Sequence, residues 1–278
     1  MSESQTLLLG AIAGATIFIG LPLARVRSTR AGARAGLTAL ATGILVFLLF
    51  DVLAHGVEPV ETALDASDWT TFAEYAALLA GGFAVGLMGL VYYDWWLKCR
   101  RVSPLVGPGA AAVDEFDGHA SVTGSMSPAR RLALLIAVGI GIHNFGEGLA
   151  IGQSAASDEV ALALVLIIGF GLHNATEGFG IVGPLSAEAE PISWRFLGLL
   201  GVIGGGPTFL GTVIGYQWVS EALQVLFFAL AGGSILFVVL ELSAVCRRYR
   251  TPIIVGWMMF LGIALGFGTD FVLGAVGG

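Results

Sequence analysis

The sequence predicts an all-α membrane protein, a single domain over residues 1–278 built as a bundle of eight transmembrane helices. Three observations predict it. The 278 residues are 56% hydrophobic and 12% charged, with a mean hydropathy of +0.87, whereas soluble domains carry about 25% charged residues. Apolar runs recur along the whole chain, and its length accommodates eight spans of about 20 residues with short loops. All 13 Lys and Arg residues fall in alternate loops.

Hydropathy places the spans near 6–24, 36–55, 72–97, 132–153, 160–183, 195–217, 222–245 and 252–276. The first is rich in Gly and Ala, which suits close helix packing. It lacks a basic leading region and reads as a retained span rather than a cleaved signal. Span two carries Asp51 and ends at His55, read as an interfacial residue. Span three is framed by Glu74 and Asp94, and Tyr92, Tyr93, Trp95 and Trp96 form an aromatic belt at its end. The loop over 98–131 is rich in Gly, Ala, Ser and Pro and is expected to be flexible. Its Asp114, Glu115, Asp117 and His119 read as a solvated acidic linker. Span six holds Gly204-Gly205-Gly206-Pro207, where proline removes a backbone hydrogen bond and should kink the helix. Span seven carries Glu241 and span eight Asp270.

The charges orient the bundle. Arg25, Arg27, Arg30, Arg34, Lys98, Arg100, Arg101, Arg130, Arg131, Arg195, Arg247, Arg248 and Arg250 lie on one side when eight spans are threaded. Loops on the other side hold Glu58, Glu61, Asp65, Asp68, Asp158, Glu159 and Glu221. The positive-inside rule then puts both termini outside and the Arg loops in the cytosol of a multi-pass protein of the cytoplasmic membrane. The net charge of −7 leaves no basic patch for nucleic acid. Cys99 and Cys246 cannot form a disulfide framework or a thiolate metal site by their spacing.

The chemistry concentrates in spans four and five. His143-Asn144-Phe145-Gly146-Glu147-Gly148 is followed by His173-Asn174-Ala175-Thr176-Glu177-Gly178, so the pattern His-Asn-x-x-Glu-Gly occurs twice. On a helix, His at i and Glu at i+4 share a face, with Asn at i+1 beside it. Antiparallel neighbours would relate the two motifs by a two-fold axis in the membrane plane, as in transporters built on inverted repeats. Polar groups at that depth are costly and mark function. Imidazole with carboxylate suits borderline divalent ions such as zinc, iron(II) and manganese, and the acids offset the cost of carrying the charge into a low dielectric. Asp51 and Asp270 towards the outside, with Glu241 towards the cytosol, are candidates for the transport pathway. A membrane metalloenzyme or a metal sensor without flux is the alternative. Four histidines are too few for a His-rich di-iron enzyme, and His-Glu-x-x-His is absent.

At these residues the chain resembles the ZIP family of divalent metal transporters, in particular its prokaryotic GufA-like branch. The likeness is carried by His143-Asn144-x-x-Glu147-Gly148-Leu149-Ala150, His173-x-x-x-Glu177-Gly178 and Pro184-Leu185. It implies two three-helix groups related by pseudo-symmetry and clasping spans four and five. It further implies a transporter rather than an enzyme, moving metal towards the cytosol. His143, Glu147 and Glu177 would ligate the ion, with Asn144, His173 and Asn174 at further site positions. Metal is then a substrate and not a cofactor, with zinc first among the ions, and a homodimer accords with the family. Gly146, Gly206, Leu45 and Asn174 stand where many relatives have Pro, Glu, Met and an acid; the changes imply one well-held ion rather than a binuclear centre.

Overall fold

The computed structural model describes residues 1–25, 31–99, 126–157, 160–188, 190–218 and 220–277. Among them every regular element is helical. Eight segments follow one another. α1 (Glu3–Arg25) is a helix that steps at Thr16 and ends in a 3-10 turn over Leu21–Arg25. Then come α2 (Ala31–Asp65), α3 (Trp69–Cys99), α4 (Pro128–Ala156), α5 (Val160–Val182), α6 (Trp194–Gln217), α7 (Glu221–Arg248) and α8 (Pro252–Gly277). Segments α1, α2, α3, α4, α6 and α7 are long and apolar enough to cross a membrane; the apolar part of α8, Pro252–Gly268, is shorter.

Side-chain caps set several boundaries. Ser127 Oγ accepts from the Arg130 amide, with Pro128 in the first turn of α4. Ser193 and Ser220 do the same for α6 and α7, each satisfying a donor that the helix leaves open. Asp68 caps α3 through the amide and hydroxyl of Thr71. The expected end of span two at residue 55 is too early. α2 runs on to Asp65 through Pro59, because Val60 and Ala63 still bury against the bundle. The loop expected over 98–131 is shorter, since α3 reaches Cys99 and α4 begins at Pro128. Asp114, Glu115, Asp117 and His119 lie outside the described residues.

Packing divides the helices into two interlocked sets. α4 packs most extensively on α6, and α1 packs on both α5 and α6. Around them, α3 packs on α7, α8 on α2, and α2 on α7. The central core gathers Ile17, Leu48, Ile136, Ile140, Ile181 and Ile235, all nearly inaccessible. Large apolar side chains such as Val85, Trp95, Val202 and Phe260 face outward, as expected of a surface solvated by lipid.

The contacts obey a two-fold relation that pairs α1 with α6, α2 with α7, α3 with α8 and α4 with α5. A Cβ on Gly86 would strike the Leu230 carbonyl, and one on Gly262 would strike that of Leu40. Gly233 abuts the Phe83 carbonyl as Gly43 abuts that of Met259. The sequence carries the same relation. Leu8-Leu9-Gly10-Ala11-Ile12-Ala13-Gly14 parallels Leu199-Leu200-Gly201-Val202-Ile203-Gly204-Gly205, and in the separate registers that pair α2 with α7 and α3 with α8, Asp51 corresponds to Glu241 and Asp94 to Asp270. The close glycine contacts therefore recur in matched pairs along the chain.

A buried His–Glu–Glu centre

Each motif lies at the middle of its helix. The Nε2 atom of His143 is 3.0 Å from Oε1 of Glu147, one turn on, and 3.6 Å from Oε1 of Glu177 across the α4–α5 contact. Relative exposures of His143, Glu147 and Glu177 are 1%, 1% and 0%. One ligand atom from each lies within 4.8 Å of the other two. Two donors bound about 2.1 Å from one ion stand no more than about 4.2 Å apart, so a small contraction would close the three on a single ion.

Asn144 and Asn174 flank the cluster, both with 0% exposure. Nδ2 of Asn144 donates to the Gly204 carbonyl at 3.0 Å, and Nδ2 of Asn174 donates to that of Ala13, also at 3.0 Å. Gly204 and Ala13 are themselves repeat-related, so the two amides are anchored equivalently. Each anchor consumes a donor and leaves Oδ1 without a hydrogen-bond partner among the described residues, as is Oε2 of Glu147. Buried acceptors normally find a donor, and leaving one unmade costs about 1–3 kcal/mol. A fully buried imidazole with two carboxylates, flanked by amide oxygens, is a group that could hold a cation.

Close backbone approach makes this possible. A Cβ on Gly148 would collide with the Thr208 carbonyl, and one on Gly178 with that of Ile17. These contacts are again repeat mates, and they press α6 and α1 against α4 and α5 near the motifs. Gly146 accommodates the ring of Phe228, which also lies against His55 with ring centroids 5.6 Å apart.

The chain matches the family model described as ZIP zinc transporter over residues 110–272. It belongs to the ZIP family. A comparison with curated proteins finds no match. The ZIP match spans α4 to α7 and most of α8, and α1–α3 join it through the repeat. ZIP proteins are metal transporters and not enzymes, so the chain is a multi-pass membrane protein of metal transport, with metal as its substrate.

The other expected site residues fall in different places. Asp51 lies close enough for its charge to act on His143, Glu147 and Glu177. His55, one turn further, contacts the Asp51 carbonyl through Nδ1 at 2.9 Å. Glu241 lines a separate cavity at the Arg-bearing end, beside Asp94 and Arg131. His173 is on α5 and Asp270 on α8, with side chains outside the described residues. Sequence reasoning missed the carbonyl anchors of the two Asn side chains and the ion pair of Asp94 with Arg131. The first could have been found by aligning the Gly-rich stretches of α1 and α6.

Proposed function

We propose that this ZIP protein carries divalent transition-metal ions, zinc first among them, across the cytoplasmic membrane into the cytosol. His143, Glu147 and Glu177 are the primary ligands, and Asn144 and Asn174 supply amide oxygens, with His173 at the sixth position. The observation that carries the reading is the pair of motif carboxylates meeting one imidazole in full burial, flanked by amide oxygens that have no donor among the described residues. Such a group is stabilised by a cation and destabilised without one.

Charge supports the path. An ion drawn to the acidic face meets Asp51, exchanges water for the midplane ligands, and leaves past Glu241; Asp270 lies towards the outer mouth. Movement of α1, α4, α5 and α6 against the remaining helices exposes the site first to one side and then to the other. Eight spans with both termini outside, a single domain over 1–278, a place in the GufA-like branch and a homodimer complete the reading. Protons compete with metal for the same ligands.

Zinc uptake into proteoliposomes tests it, with His143→Ala and the double variant Glu147→Ala/Glu177→Ala beside the parent chain. Saturable uptake that both variants lose is the expected result. Uptake untouched by the double variant would remove the site. Tight zinc binding without flux would turn the reading to a sensor or an enzyme.

A further inference from the structure

The repeat makes the two mouths of the bundle comparable position by position. At the Arg-bearing mouth a cavity of about 320 Å³ opens between α3, α4 and α7, with Asp94, Arg131, Glu241 and Arg248 in its wall. Arg131 Nη2 forms an ion pair with the Asp94 carboxylate and donates to the Asp94 backbone carbonyl at 3.0 Å. The two side chains are only 12% and 13% exposed. Arg131 belongs to α4, which carries the His–Glu motif, while Asp94 belongs to α3, so the pair bridges the two packed sets.

By the repeat offsets, the corresponding sequence positions are Asp270 for Asp94, Asp51 for Glu241, Ala161 for Arg131 and Glu58 for Arg248. Both acids recur, and neither arginine does. The Arg-bearing cavity thus holds two acids and two arginines, whereas the four repeat-related sequence positions are three acids and an alanine. A transporter with true two-fold symmetry would bind its ion equally from either face. Here the symmetry is broken in formal charge, at the places a departing cation must pass.

We infer that Arg131, supported by Arg248, sets a low cation affinity at the cytosolic mouth and so makes the two faces kinetically unequal. The inference rests on the transport reading and on the orientation proposed with it. Arg131 neutralises Asp94, which would otherwise join Glu241 in retaining the leaving ion, and its own charge opposes re-entry from the cytosol. Local fields in narrow mouths change encounter rates by about 10-fold or more. No such charge alters the equilibrium of transport; it changes how strongly each face holds the ion and how readily cytosolic metal occupies the site.

The test uses the full chain in oriented proteoliposomes, with zinc supplied separately at each face. For Arg131→Gln, half-inhibition of uptake by zinc at the Arg-bearing face should fall about 10-fold, with KM at the acidic face unchanged. Arg248→Gln, at an exposed position, should shift the same quantity in the same direction by less and keeps the test informative if the first variant folds poorly. Asp94→Asn/Arg131→Gln should return close to the parent value, because acid and base leave together. Glu58→Arg should raise KM at the acidic face alone. Equal shifts at both faces, or none for Arg131→Gln and Arg248→Gln while the parent transports zinc, would overturn the inference. Absence of zinc flux in the parent would instead overturn the transport reading.

Discussion

Replacing Gly148 or Gly178 by alanine tests the geometry that holds the site. At Gly148 the added methyl would meet the Thr208 carbonyl oxygen, with the Thr208 carbon and the Thr212 nitrogen each at 2.9 Å. At Gly178 it would meet the Ile17 carbonyl oxygen, with Gly20 Cα at 2.9 Å and Gly20 N at 3.2 Å. Every obstacle is backbone, so no rotamer change relieves the clash and α6 or α1 must move away. Overpacking of this kind costs about 1–3 kcal/mol, and the better helix propensity of alanine returns at most about 1 kcal/mol. A net loss of roughly 1–2 kcal/mol is expected for each variant, together with weaker zinc binding, because the displaced helices carry the carbonyls that anchor Asn144 and Asn174. Gly89→Ala is the control, since nothing lies within 4 Å of its added methyl. Thermal unfolding of the detergent-solubilised protein should lower Tm for both variants and leave the control unchanged or raised. If both variants were as stable as the parent, or if only one of the pair lost stability, the close two-fold packing would be wrong.

The remaining predictions concern the amides and the turn before α3. Asn144→Ala and Asn174→Ala each remove one hydrogen bond to a helix carbonyl and one candidate ligand oxygen. Each should cost about 1 kcal/mol of stability and raise KM for zinc in radiotracer uptake, by similar factors for the two sites; a large effect at one and none at the other would contradict their equivalence. Asp68 is held below the usual carboxylate range by the Thr71 hydroxyl and then by its amide. A depressed folded-state value gives stability that is present above the unfolded-state value and lost as pH falls through the folded one. The Tm advantage of the parent over Asp68→Asn should therefore hold at neutral pH and vanish in strong acid, and a difference that persisted there would assign the effect to shape rather than charge.

The candidate site was legible in the sequence because apolar surroundings raise the cost of every polar residue. His143, Glu147 and Glu177 stand out against runs of Ile, Leu, Val and Gly, and helical spacing alone puts His143 and Glu147 on one face. The helix ends were less legible. Hydropathy stops at the first polar residues, whereas α2 continues past Glu58 because its buried stripe through Val60 and Ala63 persists. The repeat was hidden by unequal loops, which place the four helix pairs in different registers. Side-chain partners such as Asp94 with Arg131 depend on which helices are neighbours, and periodicity carries no information on that.

The Gly-rich stretches of α1 and α6 read as packing devices, and on the proposed function packing and ion chemistry become one feature. Two asparagine amides can present their oxygens only if their nitrogens are occupied, and in a dry bundle the acceptors at hand are backbone carbonyls. Ala13 and Gly204 supply them at 3.0 Å. They can do so because Gly14 and Gly205, the next residue along each helix, let α1 and α6 cross with each glycine against the carbonyl of the other. A larger residue at Gly14 or Gly205 would push those helices apart and remove the carbonyl anchors of both amides. On the proposed function the small residues thereby set where the amides stand, although none of them would touch the ion.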